Sequence, residues 1–112
     1  MKVTKANLIE EKDKNKISLN SASKEIEVEL LQLSDCVLVQ PGSGIPTDGT
    51  VIFGRCSCDE SMLTGESLPV SKDLGSQVFG GTNIVQGSII MRVDKLVEDA
   101  TYNQLLRLVE NT

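Results

Sequence analysis

The chain contains 112 residues, which suits a single domain with one modest core, and 39% of them are hydrophobic, enough for a folded globule. The net charge of −5, without a basic stripe, argues against a nucleic-acid partner, and no run approaches the ~20 apolar residues that cross a bilayer. There is no histidine, so acid–base chemistry would have to use carboxylates, and three cysteines are an odd number for a disulfide-linked secreted module. We expect a domain that is monomeric in isolation, in a reducing compartment.

The hydrophobic pattern predicts short strands along most of the chain. Ile26, Val28 and Leu30 alternate with glutamates, which is the period of a half-buried strand, and the apolar run Cys36–Val39 is typical of a fully buried one. In chain order, strands are predicted at residues 3–9, 16–20, 25–30, 36–39, 50–53 and 87–97, with a charged turn at 10–16 and with Ile89, Met91 and Val93 on one face of the last strand.

Two larger loops interrupt these strands. Residues 41–49 hold two prolines and three glycines, a density that indicates a shaped loop closed by an Asp-Gly turn. Residues 59–68 are predicted to form an irregular polar loop around the tetrad Thr64-Gly65-Glu66-Ser67. Shorter turns are predicted at 31–35, 72–76 and 80–81.

The C-terminus alone has helical periodicity. An apolar stripe at i, i+3, i+4 and i+7 is formed by Tyr102, Leu105, Leu106 and Val109. Thr101 and Gln104 have the spacing of a capping box, and Asp99 lies where the helix dipole favours an acid. Many short strands, Gly/Pro turns and one helix predict a mainly-β fold, a sandwich or jelly-roll with a short C-terminal α-helix, in a single domain at 1–112.

The tetrad at 64–67 is the strongest candidate for chemistry. Gly65 allows a sharp turn, and Glu66 at its tip would project a carboxylate that could accept a proton from water. The electrophile would have to come from outside this domain. On the residue types alone, the simpler interpretation is favoured, in which Thr64 and Ser67 satisfy turn amides and Glu66 is solvated.

Four segments, in a fixed order along the chain, favour a functional role for the tetrad instead. Asp59-Glu60-Ser61 followed by Leu63-Thr64-Gly65-Glu66-Ser67-Leu68-Pro69-Val70 closely resembles the signature of P-type ATPase actuator domains. Three further segments resemble the same family in the same order: Pro41-Gly42 with Ile45-Pro46 and Asp48-Gly49, then Gly80-Gly81-Thr82-Asn83 followed by Gly87, then the terminal stretch from Ala100 to Glu110. The resemblance runs from about residue 24 to the C-terminus. Ser34-Asp35 departs from the usual Gly-Asp of the family.

The resemblance implies a distorted jelly-roll on the cytosolic face of a membrane pump. Glu66 would position and activate the water that attacks an aspartyl-phosphate on another domain, while Thr64 and Gly65 would shape the loop that enters that site. The positions that would shape the loops are Asp59, Glu60, Ser61, Ser67, Pro69, Pro41, Gly42, Pro46, Asp48, Gly49, Gly81 and Thr82.

The resemblance also implies partners that this chain lacks. There is no Asp-Lys-Thr-Gly motif and no Walker-type loop, so we expect no cofactor in this domain and no ATP hydrolysis by it alone. The parent pump is expected to use ATP, Mg²⁺ and a transported metal ion, through phosphorylation and nucleotide-binding domains and transmembrane helices of the same polypeptide. The compact spacing between the Pro-Gly loop and the terminal helical stretch resembles that of the heavy-metal-transporting subgroup of P-type ATPases. Within that subgroup, copper is favoured over zinc or cadmium as the transported ion. An actuator domain of a proton or calcium pump is an alternative.

Cys56 and Cys58 suggest a different hypothesis. Alternate residues of a strand share a face, so the two thiols could hold a soft ion such as Cu(I). That would make the chain a non-enzymatic cytosolic metal-binding jelly-roll. With no histidine and no further cysteine nearby, the pattern favours packing over metal binding, and we expect no metal site.

Overall fold

The computed structural model describes residues 3–99, which build one antiparallel sheet of seven strands. The strands are β1 (Lys5–Ile9), β2 (Ser23–Glu27), β3 (Cys36–Val39), β4 (Gly49–Asp59), β5 (Val70–Lys72), β6 (Gln77–Val78) and β7 (Asn83–Val93). The sheet order is β2-β1-β3-β7-β4-β5, and β6 pairs with β4 beside this path. The mainly-β fold class predicted from the sequence is confirmed.

The centre of the sheet is the antiparallel pair β4 and β7, each 11 residues long. Their register runs from Gly49 opposite Val93 to Asp59 opposite Asn83, with irregularities between Val51 and Phe53 and between Ser57 and Cys58. Such irregularities bend a strand and increase its twist, so this pair can curve around the core. The end at Asp59 is where the candidate loop leaves the sheet.

Both faces of the sheet are covered by apolar side chains. The main core contains fully buried residues of β3, β4 and β7, and Ile89, Met91 and Val93 lie in it on one face of β7 as predicted. Ile90 points to the other face because strand side chains alternate, and there it packs with Ile9, Ile17 and Cys36. Ile17 comes from the segment between β1 and β2, which explains how that face is shielded.

The predicted strand at 16–20 is wrong. A 3₁₀ turn spans Lys14–Lys16, and the Asp13 side chain accepts a hydrogen bond of 3.0 Å from Asn15 N at its start. Ser21 N then donates to Ser18 O at 3.0 Å. Short polar side chains that bond to nearby backbone compete with strand pairing, and this segment turns instead.

The predicted strand at 25–30 is correct only in its first half. β2 ends at Glu27, and Val28–Leu30 form a 3₁₀ turn in which Leu31 N donates to Val28 O. Val28 is buried, whereas Leu30 is 63% exposed. The alternation of apolar residues therefore continues past the point where the strand ends.

Two other strands differ in length from the prediction. The strand predicted at 50–53 extends over Gly49–Asp59, and the one predicted at 87–97 lies at Asn83–Val93, followed by a 3₁₀ turn at Val97–Asp99. The turns at 31–35, 72–76 and 80–81 are confirmed. The helix predicted on Thr101, Tyr102, Gln104, Leu105, Leu106 and Val109 lies outside the described residues. Between residues 3 and 99, no helix has the length and apolar character to cross a bilayer.

Candidate functional site

The loop that carries the tetrad begins at the end of β4. A single helical turn, α1 (Ser61–Thr64), occupies part of the segment that was predicted to be irregular. Asp59 Oδ1 accepts a hydrogen bond of 2.9 Å from Ser61 N at the start of this turn. The hydrogen bond from the Ser61 backbone lowers the pKa of the Asp59 carboxyl, since it stabilises the charged form.

Gly65 ends α1 in the left-handed backbone region. Its φ is 77° and its ψ is −2°, and Gly65 N donates to Ser61 O at 2.8 Å. Glycine is the usual residue at such a helix end because it has no Cβ to strain the backbone. No atom lies within 4 Å of the place where a Cβ would be, so the backbone angle and not crowding sets the need for glycine.

The hydroxyl of Thr64 ties the turn to the residue that follows it. Thr64 Oγ1 donates to Glu60 O at 3.3 Å and accepts from Glu66 N at 3.2 Å. The backbone of Glu66 is thereby fixed, while its side chain is exposed. Thr64, Gly65 and Glu66 thus form one unit that presents a carboxylate to solvent, with exposed Ser67 and Pro69 beyond it.

Apolar side chains lie on either side of this carboxylate in the sequence and are exposed. Met62 is 43% exposed, Leu68 75% and Val70 37%. Contact with another molecule would remove this apolar surface from water. The loop therefore combines a charged tip with apolar flanks.

The base of the loop is a buried ion pair. Lys72 Nζ lies 2.9 Å from Glu60 Oε2, with the two side chains 10% and 8% exposed. Lys72 Nζ also lies 5.2 Å from the ring centroid of Phe79, a distance at which a cation is attracted to an aromatic face. On the sheet, Lys72 is directly opposite Cys56.

The loop at 41–49 packs against the start of β7 and the turn that precedes it. Gly42 N donates to Ile84 O and Ile45 N donates to Thr82 O, both at 2.8 Å. Gly44 pairs with Asn83, and Asn83 is also opposite Asp59 at the end of β4. Asn83 thus connects this loop to the start of the tetrad segment. Within the loop, Pro41 is exposed and Pro46 is buried.

Asp48 is a buried structural group in this connection. Its Oδ1 accepts a hydrogen bond of 2.8 Å from Gly80 N, and its Oδ2 lies 3.5 Å from Lys95 Nζ. Its backbone oxygen accepts from Asp94 N at 3.0 Å. One side chain therefore joins the end of the 41–49 loop to the Gly80 turn.

The neighbouring motif residues have similar scaffolding contacts. Thr82 is 1% exposed and its hydroxyl donates to Phe79 O at 2.7 Å, closing the turn that contains Gly81. A Cβ at Gly49 would lie 2.1 Å from Arg92 O, so the two central strands approach closely there. Because the Phe79 ring faces Lys72, this turn also contacts the base of the tetrad loop.

The cysteine pair is part of the core. Cys56 Sγ and Cys58 Sγ lie 3.7 Å apart, and both residues are buried. Burial raises the pKa of both thiols, that of Cys58 to about 12, and the nearby Cys56 adds to that increase. Both thiols are therefore held in their neutral form at ordinary pH, and they pack as small apolar groups. Within residues 3–99, no cluster of three or more potential metal ligands occurs.

The sequence reasoning assigned no role to Lys72, Phe79 or Asn83. Lys72 lies on the short strand β5, where Val70 and Ser71 are exposed, so no local pattern indicates that its ammonium is buried. Asn83 and Phe79 flank the Gly-Gly-Thr turn. Asn83 is linked to the tetrad segment by pairing with Asp59, and Phe79 by its contact with Lys72. Both links join distant residues, which a local sequence pattern does not show.

The family model of the P-type ATPase actuator domain matches residues 4–110. The chain is 45% identical over 87 residues to the copper-transporting ATPase RAN1 of Arabidopsis thaliana, covering 78% of this chain and 9% of that protein. It is 40% identical over 95 residues to a zinc-transporting ATPase of Bacillus subtilis, covering 85% of this chain and 15% of that protein.

A solved structure gives the same assignment. The crystal structure of a zinc-transporting PIB-type ATPase in its E2.Pi state matches with a TM-score of 0.84 at 27% identity, covering 98% of this chain and 17% of that chain. The chain thus spans only a small part of each of these proteins. By sequence and by fold, it belongs to the P-type ATPase actuator-domain family.

Proposed function

We propose that this domain promotes hydrolysis of an aspartyl-phosphate on another domain of a heavy-metal-transporting P-type ATPase, with Glu66 as the general base. The observation that carries the proposal is the exposed Glu66 carboxylate on a turn whose backbone is fixed by Gly65 and Thr64. A general base must be held within hydrogen-bond reach of the proton it removes, and a fixed backbone restricts where the carboxylate can go.

In the proposed reaction, Glu66 orients a water molecule for in-line attack on phosphorus and accepts its proton. The aspartyl oxygen leaves with the bond electrons, and phosphate is released. Most of the rate gain in phosphoryl transfer comes from placement and charge stabilisation, so a carboxylate at the phosphate needs a cation to offset repulsion. We assign that cation, a Mg²⁺ ion or a lysine, to the phosphorylation domain.

The surroundings of Glu66 support docking onto a partner domain. Met62, Leu68 and Val70 expose apolar surface on the segment that carries Glu66, and contact with another domain would bury it. We propose that the phosphorylation domain provides that surface, with the nucleotide-binding domain, ATP and transmembrane helices completing the cycle in the same polypeptide. This domain would lie on the cytosolic face of the membrane.

We propose copper as the transported ion, by similarity to the copper-transporting relative from Arabidopsis thaliana, with zinc as the alternative. The two ions are separated by measuring which one stimulates phosphorylation of the full-length pump from ATP. Stimulation by Cu(I) but not by Zn²⁺ is expected, and the reverse result would overturn the choice of copper.

The catalytic role is tested by the lifetime of the phosphoenzyme. The full-length pump is phosphorylated with labelled ATP and chased, comparing wild type with Glu66→Gln. Glu66→Gln should still form the phosphoenzyme, but its decay should slow by about 10²–10⁴-fold, the usual contribution of a general base. Glu25→Gln is the control, since Glu25 is an exposed carboxylate on β2, at the opposite edge of the sheet from β5. Unchanged decay in Glu66→Gln would refute the role.

A further inference from the structure

The segment that carries Glu66 has buried charged residues at both of its ends and no buried residue between them. Residues 61–71 are exposed except for Leu63, which is half-buried. Glu60 precedes this segment and Lys72 ends it, and both are buried. The core therefore anchors the segment chiefly at these two positions.

The two ends are joined to each other. The contact of 2.9 Å between Lys72 Nζ and Glu60 Oε2 brings together residues twelve positions apart in the sequence. A buried ion pair loses hydration, and an apolar pair of similar size is often at least as favourable for stability. A geometric role for the pair is therefore a better explanation than a gain in stability, and the Phe79 ring beside the ammonium restricts it further.

Glu60 transmits its position to the catalytic turn through its backbone. Its carbonyl oxygen accepts hydrogen bonds from Leu63 N at 2.9 Å and from Thr64 N at 3.1 Å. It also accepts the bond from Thr64 Oγ1, the same hydroxyl that holds Glu66 N. A shift of Glu60 would thus be passed to Glu66 through Thr64.

We propose that Glu60 and Lys72 are positioning residues for dephosphorylation: their ion pair closes the base of the loop and fixes where Glu66 meets the phosphoenzyme. This inference depends on the proposed function of Glu66. Neither side chain touches the reacting atoms, because both are enclosed at the base of the loop. Their effect is on placement, and a misplacement of about 1 Å can cost about 10²-fold in rate.

The first test compares phosphoenzyme decay in the full-length pump for Lys72→Met, Lys72→Arg and Glu60→Gln. Lys72→Met and Glu60→Gln should form the phosphoenzyme and slow its decay by roughly 10- to 100-fold, while Lys72→Arg keeps the charge and should restore most of the rate. Lys5→Met is the control, since Lys5 pairs with Glu27 at the opposite edge of the sheet from β5, and it should decay like wild type. Wild-type decay in both Lys72→Met and Glu60→Gln would overturn the proposal.

A second test separates positioning from general structural damage. If Lys72 acts through Glu66, Lys72→Met should add no further slowing in a pump that already carries Glu66→Gln. Equal slowing in both backgrounds would mean that Lys72 acts independently, and the proposal would be wrong. If Lys72→Met fails to yield folded pump, Glu60→Gln takes its place and is combined with Glu66→Gln in the same comparison. The amide keeps the size of the Glu60 side chain.

The two proposals fail in different ways. If Glu66→Gln itself decays like wild type, the proposed function is wrong. If Glu66→Gln decays slowly while Lys72→Met and Glu60→Gln decay at the wild-type rate, only the positioning role is wrong.

Discussion

The left-handed backbone at Gly65 gives a prediction with a calculable size. Gly65 has φ 77°, and a residue with a Cβ costs roughly 1–2 kcal/mol in the left-handed region. The added Cβ of Gly65→Ala would have no neighbour within 4 Å, so crowding adds nothing to this cost. We expect Gly65→Ala to lower the free energy of unfolding by about 1–2 kcal/mol. Gly65→Val should lower it further, since β-branched residues tolerate positive φ least.

The measurement is thermal unfolding followed by circular dichroism. Each kcal/mol should lower Tm by about 4–8 °C in a domain near this size. Gly75→Ala is the matched control, because Gly75 has φ 88° and also has no neighbour within 4 Å of an added Cβ. The two alanine variants should lose similar stability, and in the full-length pump only Gly65→Ala should slow phosphoenzyme decay. Complete loss of the folded state in Gly65→Ala, or no loss of stability, would refute this reasoning.

Three further predictions concern the scaffold. Ile89→Ala removes a fully buried side chain and should cost about 2–5 kcal/mol in a denaturant titration; a cost below 1 kcal/mol would contradict the assignment of Ile89 to the core. Asp48→Ala leaves Gly80 N without its acceptor and should cost about 1–3 kcal/mol, whereas Asp48→Asn keeps an acceptor oxygen and should cost less; the opposite ranking would refute this role. The Cys58 pKa is raised from 9.0 to about 12, so its contribution to stability is complete below pH 9 and is lost as pH rises toward 12, by at most about 1.4 kcal/mol per pH unit. Stability measured from pH 8 to 11 should fall less steeply in Cys58→Ala, and equal slopes would contradict the assignment.

The strands that the sequence predicted well are those in which burial and pairing coincide. Cys36–Val39 is a strand as predicted because its apolar run lies within the sheet, and its side chains contribute to both apolar clusters. The error at Leu30 has a local cause: Val28 N bonds to Thr4 O, and the chain then turns, so an apolar residue in the expected phase is left exposed. Hydrophobic alternation gives the face of each residue but not the position where pairing stops.

The sequence predicted the turn that carries Glu66, but it did not predict the Glu60–Lys72 ion pair at the base of the loop. Turn chemistry indicates a sharp bend at Gly65, and the structure has a positive φ there. α1 escaped notice because four residues are too few to show helical periodicity. Lys72 was missed since lysine is rarely buried, and its burial depends on Glu60, its partner from a different element.

The position of β7 in the sheet has a consequence for biosynthesis. β7 is the last described strand in the chain order, yet it lies between β3 and β4 and pairs with both. While a ribosome is making this domain, β3 and β4 have no shared partner until residues 83–93 have left the exit tunnel. Pairings such as Cys36 with Arg92 join distant residues, and sheets of this kind fold in milliseconds to seconds. We therefore expect the core side chains of β3 and β4, such as Val37 and Val51, to complete their packing only after the last described strand has been made.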